Sequence, residues 1–387
     1  MSAYLDHAAG SPLRPAAAEA LAEALATVGN PSSIHGHGQR ARRLLEESRE
    51  RLAAALDCDP REVVFTSGGT ESVGTAIKGA YWAAHDRPDH DRRTIVAPGG
   101  EHAATVDAID WLVAHEGAAL EPVQVDAEAR LDPLALAAAL DRVGAGAALV
   151  TFLWANNEVG TINPVARLTA EARAHGVPVH VDAVAAFGAV PVSFAGSGAD
   201  LLSVSSHKVG GPAGIGALLV ARSAHIEPLL HGGGQERALR SGTQPVALAA
   251  AFAVAAEQAV HDLAAESGRL AALRDDVLAG LTARLPGVVV RGADPAGPDR
   301  LPGNLHVTVP GADGDALLLL LDLAGVSVST GAACQAGVAE PSHVLAAMGV
   351  PVPEARGALR ITLGHTSSAS DLDALIAALP RLAAAIA

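Results

Sequence analysis

A lysine at the end of an apolar run is the residue whose setting first suggests chemistry. Lys208 closes Ala199-Asp-Leu-Leu-Ser-Val-Ser-Ser-His-Lys and opens the glycine-rich stretch Val209-Gly-Gly-Pro-Ala-Gly-Ile-Gly216. An amine partly desolvated at the end of a buried strand keeps more of its neutral, nucleophilic form, which suits Schiff-base formation. Alone, such a lysine is better explained by a stem lying on apolar surface with its charge in water. Its neighbours in the sequence shift that balance.

Four further segments each end a strand-like run or open a helix-like one. In Phe65-Thr-Ser-Gly-Gly-Thr70-Glu-Ser72 a strand runs through a glycine turn into a helix, so the N–H groups of Gly69 and Thr70 and the Thr70 hydroxyl face outward, as a phosphate site requires. Asp182 ends Val179-His-Val-Asp, and a carboxylate there is costly to bury unless it meets a cation, such as a protonated pyridine nitrogen. His102, in Gly100-Glu-His, carries a flat ring that titrates near neutrality. Asn157, in Trp154-Ala-Asn-Asn-Glu158, offers an amide to a ring hydroxyl or a carboxylate, although Asn-Asn is also an ordinary turn sequence. Lysine, phosphate site, acid, flat ring and amide are together the groups that pyridoxal 5'-phosphate needs.

Alternating helical and strand-like segments from about residue 15 to 255 must position these groups, the pattern of an α/β layer on a mostly parallel sheet. Helices are predicted over Ala16 to Val28 and Gly38 to Leu56. Strands are predicted over Glu62 to Thr66, Thr94 to Ala97, Ala147 to Leu153, Val177 to Val181 and Leu201 to Ser205. A long Ala-rich helix from about Pro245 to Leu285, with Gly268 as a potential break, then leaves this layer. Beyond it come strands near Gly287 to Arg291 and Asn304 to Val309, a helix near Asp313 to Ala324 and a last helix from Ser370. The expected organisation is a large domain over 15–255 and a smaller α+β domain made of 1–14 plus 256–387. Asp86 to Arg93 reads as a charged connector.

The chain has 387 residues, half of them apolar and 18% charged, with 42 acidic against 27 basic residues. A net charge of -15 argues against nucleic acid or an anionic membrane as a main partner. The apolar stretches are broken by charges such as Glu257 and Asp322, so no membrane span is expected. Two cysteines are too few for a disulfide framework, and with no secretory signal the expected compartment is the cytoplasm. The histidine pairs His35 with His37 and His85 with His90 lack a third ligand at recognisable spacing, so no metal site is expected.

The chain resembles fold-type I pyridoxal-phosphate enzymes, specifically the class V aminotransferase branch that holds the NifS- and IscS-like cysteine desulfurases. The resemblance runs through Tyr4-Leu-Asp-His-Ala-Ala, Gly29-Asn-Pro-Ser-Ser-Ile-His35, Thr66-Ser-Gly-Gly-Thr-Glu71, Asn156-Asn-Glu158, Ser205-Ser-His-Lys-Val-Gly-Gly-Pro212, His231-Gly-Gly-Gly-Gln-Glu-Arg237 and Arg240-Ser-Gly-Thr243. It implies Lys208 as the Schiff-base lysine, Asp182 at the pyridine nitrogen and His102 on the ring. Thr70, Ser205 and His207 would hold the phosphate, and Thr243 would reach the phosphate of a partner subunit in a homodimer. Arg360, in Ala358-Leu-Arg-Ile-Thr, matches the arginine that grips the substrate carboxylate, with Asn30 and Asn157 as helpers.

Cys334 selects the reaction. It lies among small residues in Ser329-Thr-Gly-Ala-Ala-Cys-Gln-Ala-Gly-Val-Ala-Glu-Pro-Ser342, a stretch that resembles the catalytic-cysteine loop of IscS-like desulfurases. The implied activity converts L-cysteine to L-alanine, leaves a persulfide on Cys334 and passes the sulfur to an acceptor protein. Iron–sulfur cluster assembly, transfer-RNA thiolation and DNA phosphorothioation all draw on such enzymes. Cys58, between Asp57 and Asp59, is expected to be inert because neighbouring carboxylates raise its pKa. Three positions depart from the family pattern: Ala185 replaces a glutamine that donates to the ring hydroxyl, His365 replaces a second arginine, and Gly10-Ser11 replaces a pair of threonines. The alternatives are a selenocysteine lyase or other class V enzyme, and a weakly catalytic sulfur carrier or scaffold.

Overall fold

Among the residues that the computed structural model describes, 3–85, 92–330 and 342–386, twelve strands and the helices between them surround several apolar clusters, of which the two largest are the first and second cores. The strands are β1 (Ala3–Tyr4), β2 (Val63–Thr66), β3 (Thr94–Pro98), β4 (Ala119–Val123), β5 (Ala147–Leu153), β6 (Val179–Asp182), β7 (Leu201–Ser205), β8 (Gly216–Val220), β9 (Val289–Arg291), β10 (Asn304–Thr308), β11 (Val326–Ser327) and β12 (Ala358–Thr362). Most of the connector predicted at Asp86 to Arg93 lies outside the described residues, as do 331–341.

Seven strands form one sheet in the order β2-β8-β7-β6-β5-β3-β4, parallel throughout except where β8 pairs antiparallel with β2 and β7. Every residue of β5, β6 and β7 is buried, the pattern expected where helices cover both faces of a parallel sheet. Because these three strands run in the same direction, Leu153, Asp182 and Ser205 arrive together at one edge. Ligands bind at such carboxyl-terminal edges. The α/β class read from the sequence is the observed one. Several boundaries shift by a residue or two, and Glu62 belongs to a short capping turn, Pro60–Glu62, held by Asp59.

A three-stranded antiparallel sheet, β12-β10-β9, carries the second core. Strand alternation puts Leu305, Val307, Leu359 and Ile361 into it, against Leu317 and Leu321 of helix Gly314–Leu323 and Leu375 and Leu379 of helix Ala369–Ile386. The opposite face is polar and presents His306 and Arg360. The amino-terminal segment joins this part of the chain: β1 pairs with β11, and Asp6 bridges to Thr362.

Helix Val246–Thr282 ties the cores together. Its start buries Ala249, Phe252, Ala256 and Ala259 in the first core, and its end buries Val277 and Leu281 in the second. Gly268 does not break it. A helical glycine costs only about 1 kcal/mol, and packing at both ends outweighs that. By length and composition alone this helix could cross a membrane, a test that the core helices of folded proteins also pass. Its apolar first half is instead packed on helices Pro15–Leu25 and Gly36–Leu56, as a core helix would be.

One buried ion pair pins the loop after β8. The Glu236 carboxylate accepts both Nη groups of Arg49 at 2.7 Å, the Phe65 N–H at 2.9 Å and the Gln244 amide at 3.3 Å. Together these bonds hold Glu236, Arg237 and Ala238 at φ of 45°, 58° and 62°, a left-handed run that costs L-residues about 1–2 kcal/mol apiece. Arg49→Met should therefore destabilise the protein by about 3–5 kcal/mol in denaturant unfolding, because it strands a buried carboxylate. Adding Glu236→Leu to the same chain should recover much of that loss.

Candidate active site

A cavity of about 510 Å³ opens where the edge of the seven-stranded sheet meets the polar face of the three-stranded one. Gly69, Thr70, His102, Asn157, Asp182, Ser205, His207, Lys208 and Arg360 all line it. Nine residues predicted from distant points of the sequence thus line one cavity.

Asp182 is the most constrained of them. Its side chain is buried at the end of β6 and accepts the Val184 N–H at 2.9 Å. Burial pushes its pKa above the usual carboxylate value, while His102, the Val184 N–H and Lys208 pull it back. A cation brought into the cavity beside it would hold it ionised.

Lys208 ends the short turn Ser206–Lys208 that follows β7. Its Nζ donates to the carbonyl oxygens of Ala8 and, at 3.1 Å, of Ala9, so the amino-terminal segment parks the amine at the cavity. His102 caps helix Ala103–Glu116: its Nδ1 accepts the Ala104 N–H at 3.1 Å, which assigns the ring proton of the neutral form to Nε2. The first turn of helix Gly69–His85 presents Gly69 and Thr70, opposite Ser205 and His207, whose Oγ and Nδ1 lie 2.8 Å apart. A Cβ on Gly69 would lie 3.0 Å from Val184 and 3.5 Å from Ser205, so glycine keeps this cradle open. Unpaired first-turn N–H groups, a hydroxyl, an imidazole, a buried acid and an amine fit the phosphate, ring nitrogen and aldehyde of pyridoxal phosphate.

Arg360 faces them from β12. It is buried, with Nη2 donating to Asp6 at 3.0 Å and Nη1 to the carbonyl of Asn157 at 3.2 Å. Ala185 also lines the cavity and offers only a methyl group where a donor was expected from the family pattern. His365 lines it too, with an Nε2 that has no partner among the described residues.

Two predicted residues are not brought to this cavity. Asn30 is exposed, and its Oδ1 accepts the Ser32 N–H at 2.9 Å, so its amide oxygen is spent on a local turn. Thr243 is exposed and outside this chain's own cavity. Cys334 lies outside the described residues. Cys58 packs against the first core, and its pKa is pushed up to about 12, first by burial and only then by Glu62, Asp57 and Asp59; the carboxylates named from the sequence are the lesser cause.

Sequence reasoning missed a group of acids, of which Glu101 and Glu158 are buried. Glu158 is buried and takes the Ser342 hydroxyl, with His343, Arg360 and His102 near enough to oppose the rise in its pKa that burial causes. Glu101 accepts the Leu153 N–H at 3.1 Å through Oε1, while Oε2 is buried with no partner among the described residues. Glu71, one turn into the cradle helix, is paired with Arg240 at 2.9 Å. Their signal was faint: each sits beside a residue that had been singled out, but nothing in an isolated sequence marks an acid as buried.

The aminotransferase class-V family model matches residues 3–375. An IscS-like cysteine desulfurase of Mycobacterium tuberculosis is 51% identical over 378 residues, covering 98% of this chain and 95% of the relative. A cysteine desulfurase of Cereibacter sphaeroides is 42% identical over 380 residues, covering 97% and 94%. A solved structure described as a NifS-like protein superposes with a TM-score of 0.90 at 33% identity, covering 99% of each chain.

Glu101 yields a pH prediction. Burial, with Asp182 adding to it, raises its pKa well above the ordinary carboxyl value. The stability this group contributes is therefore present below the unfolded-state pKa and is lost as pH rises toward the folded one. Glu101→Gln should unfold like wild type near pH 4 and gain on it by about 1 kcal/mol or more by pH 8. Denaturant unfolding of both proteins across that range checks the sign.

Proposed function

The chain belongs to the aminotransferase class-V family and is a pyridoxal-phosphate-dependent cysteine desulfurase, and we propose that the residues of the cavity divide its work as follows. When bound, the cofactor supplies an electron sink for the pair left at the substrate α-carbon. Asp182 holds the positive charge of the ring nitrogen, His102 covers the ring, and Gly69, Thr70, Ser205 and His207 hold the phosphate. Lys208 would hold the cofactor through its aldehyde carbon, and its amine would move the proton at the substrate α-carbon. Arg360 grips the substrate carboxylate, with Asn157 beside it. Asn30 belongs to this reading only if its segment moves to the cavity.

Cys334 completes the chemistry. Its thiolate attacks the substrate sulfur; the new S–S bond forms as the C–S bond breaks, and the electron pair left on carbon takes a proton to give L-alanine. The persulfide then passes its outer sulfur to an acceptor protein. Residues 15–255 form the cofactor-binding unit in this reading, and 1–14 plus 256–387 the smaller one. The exposed position of Thr243 supports a homodimer in which it serves the partner's phosphate. A chain with so few thiols, one of them reactive, suits the cytoplasm.

What carries the reading is the arrangement of Lys208 and Asp182 at the ends of adjacent strands, facing Arg360 across one cavity. Cys334→Ser should lower L-alanine and persulfide formation from L-cysteine by about a hundredfold or more while leaving the cofactor's absorbance near ~420 nm intact. Undiminished turnover in this variant would remove Cys334 from the mechanism.

A further inference from the structure

Arg291, His306 and Arg360 lie directly opposite one another on β9, β10 and β12. Directly opposed residues of an antiparallel pair share a face, so a histidine stands between two arginines on the polar side of the sheet. His306 is wholly buried, and neither of its ring nitrogens has a hydrogen-bond partner among the described residues. Two orphan nitrogens in one buried ring are unusual, since buried polar groups are nearly always hydrogen-bonded.

Burial pushes the pKa of the ring down to about 3, and the charged groups facing it, Arg300, Arg360 and Arg291, add to that shift. The ring is neutral at physiological pH, so one nitrogen is an acceptor in need of a donor. Two of the three guanidinium groups have already spent their Nε–H: that of Arg291 goes to Thr308 at 3.0 Å, and that of Arg300 to the Asn304 carbonyl at 3.1 Å. The Nε of Arg360 is buried and has no partner among the described residues. An acceptor without a donor and a donor without an acceptor thus occupy opposed positions on neighbouring strands.

We propose that His306 is a positioning residue for Arg360, accepting its Nε–H either directly after a small ring rotation or through a single bridging water. Nη2 is held by Asp6 and Nη1 by the Asn157 carbonyl. A third hold at Nε fixes the plane of the guanidinium and leaves one N–H on each terminal nitrogen, the fork that matches a carboxylate. The inference rests on the reading of Arg360 as the substrate-carboxylate anchor and adds the residue that orients it.

The test uses the holoenzyme and three variants, His306→Leu, His306→Gln and Arg360→Lys. It measures affinity for L-alanine by cofactor absorbance, steady-state turnover of L-cysteine, and the Arg360 Nε–H resonance in 15N-arginine-labelled protein, assigned by its loss in the lysine variant. His306→Leu should weaken L-alanine binding and raise KM by about tenfold while kcat stays within about twofold of wild type, and it should shift the Arg360 resonance. His306→Gln, which keeps an acceptor, should restore most of the affinity. If Arg360→Lys weakens L-alanine binding but His306→Leu changes neither affinity nor resonance, the positioning role is overturned and the anchor reading stands. If Arg360→Lys leaves the affinity intact, the anchor reading fails and the positioning role fails with it. Should His306→Leu not fold, the wild-type resonance decides: slow exchange with solvent supports the bond, and exchange as fast as that of an exposed arginine overturns it.

Discussion

A carboxylate buried at the end of a strand is the constraint from which the rest of the site follows. Asp182 has given up water and accepts the Val184 N–H, and although His102 and Lys208 oppose the rise that burial causes in its pKa, a further cation beside it would favour its charged form. On the proposed reading, that cation is the ring nitrogen of the cofactor. The parallel sheet then does the rest, because strands running in one direction bring their ends to one edge and so place Ser205 and the Lys208 turn beside Asp182. The cradle at Gly69 and the cap at His102 sit at helix starts facing the same edge.

The amino-terminal segment joins the two halves of the cavity. Ala8 and Ala9 hold the lysine amine through their carbonyls, and Asp6 holds the arginine fork. Asn157 does the same from the large sheet, since its carbonyl takes the other arm of Arg360 while the neighbouring Glu158 carbonyl takes the Asn304 amide at 2.9 Å. The long helix Val246–Thr282 makes this geometry rigid by sharing its length between the two cores.

Much of this was legible in the sequence, for a physical reason. Buried parallel strands read as continuous apolar runs, and a polar residue that ends one stands out, so Asp182, Ser205 and Lys208 were found together with β5 and β7 to the residue. The cradle was found because glycine turns before helices have a local signature. Features set by tertiary contact were not legible. The antiparallel strand β8 looks like any apolar run, Gly268 was weighed without the packing that overrides it, and the solvent inertness of Cys58 comes mainly from burial. Glu101, Glu158 and His306 are unusual only because of where the fold puts them. Asn30 and Thr243 were carried by resemblance, and neither has a place in the cavity of a single chain.

The central claim is that Asp182 exists to hold a positive charge on the cofactor ring. Reconstitution with pyridoxal phosphate labelled with 15N in the ring reports this directly, because the nitrogen shift differs sharply between protonated and neutral forms. The account predicts a protonated nitrogen in the wild-type enzyme at neutral pH and an unprotonated one in Asp182→Asn. A neutral nitrogen in the wild type, or the same protonated signal in both proteins, would contradict it.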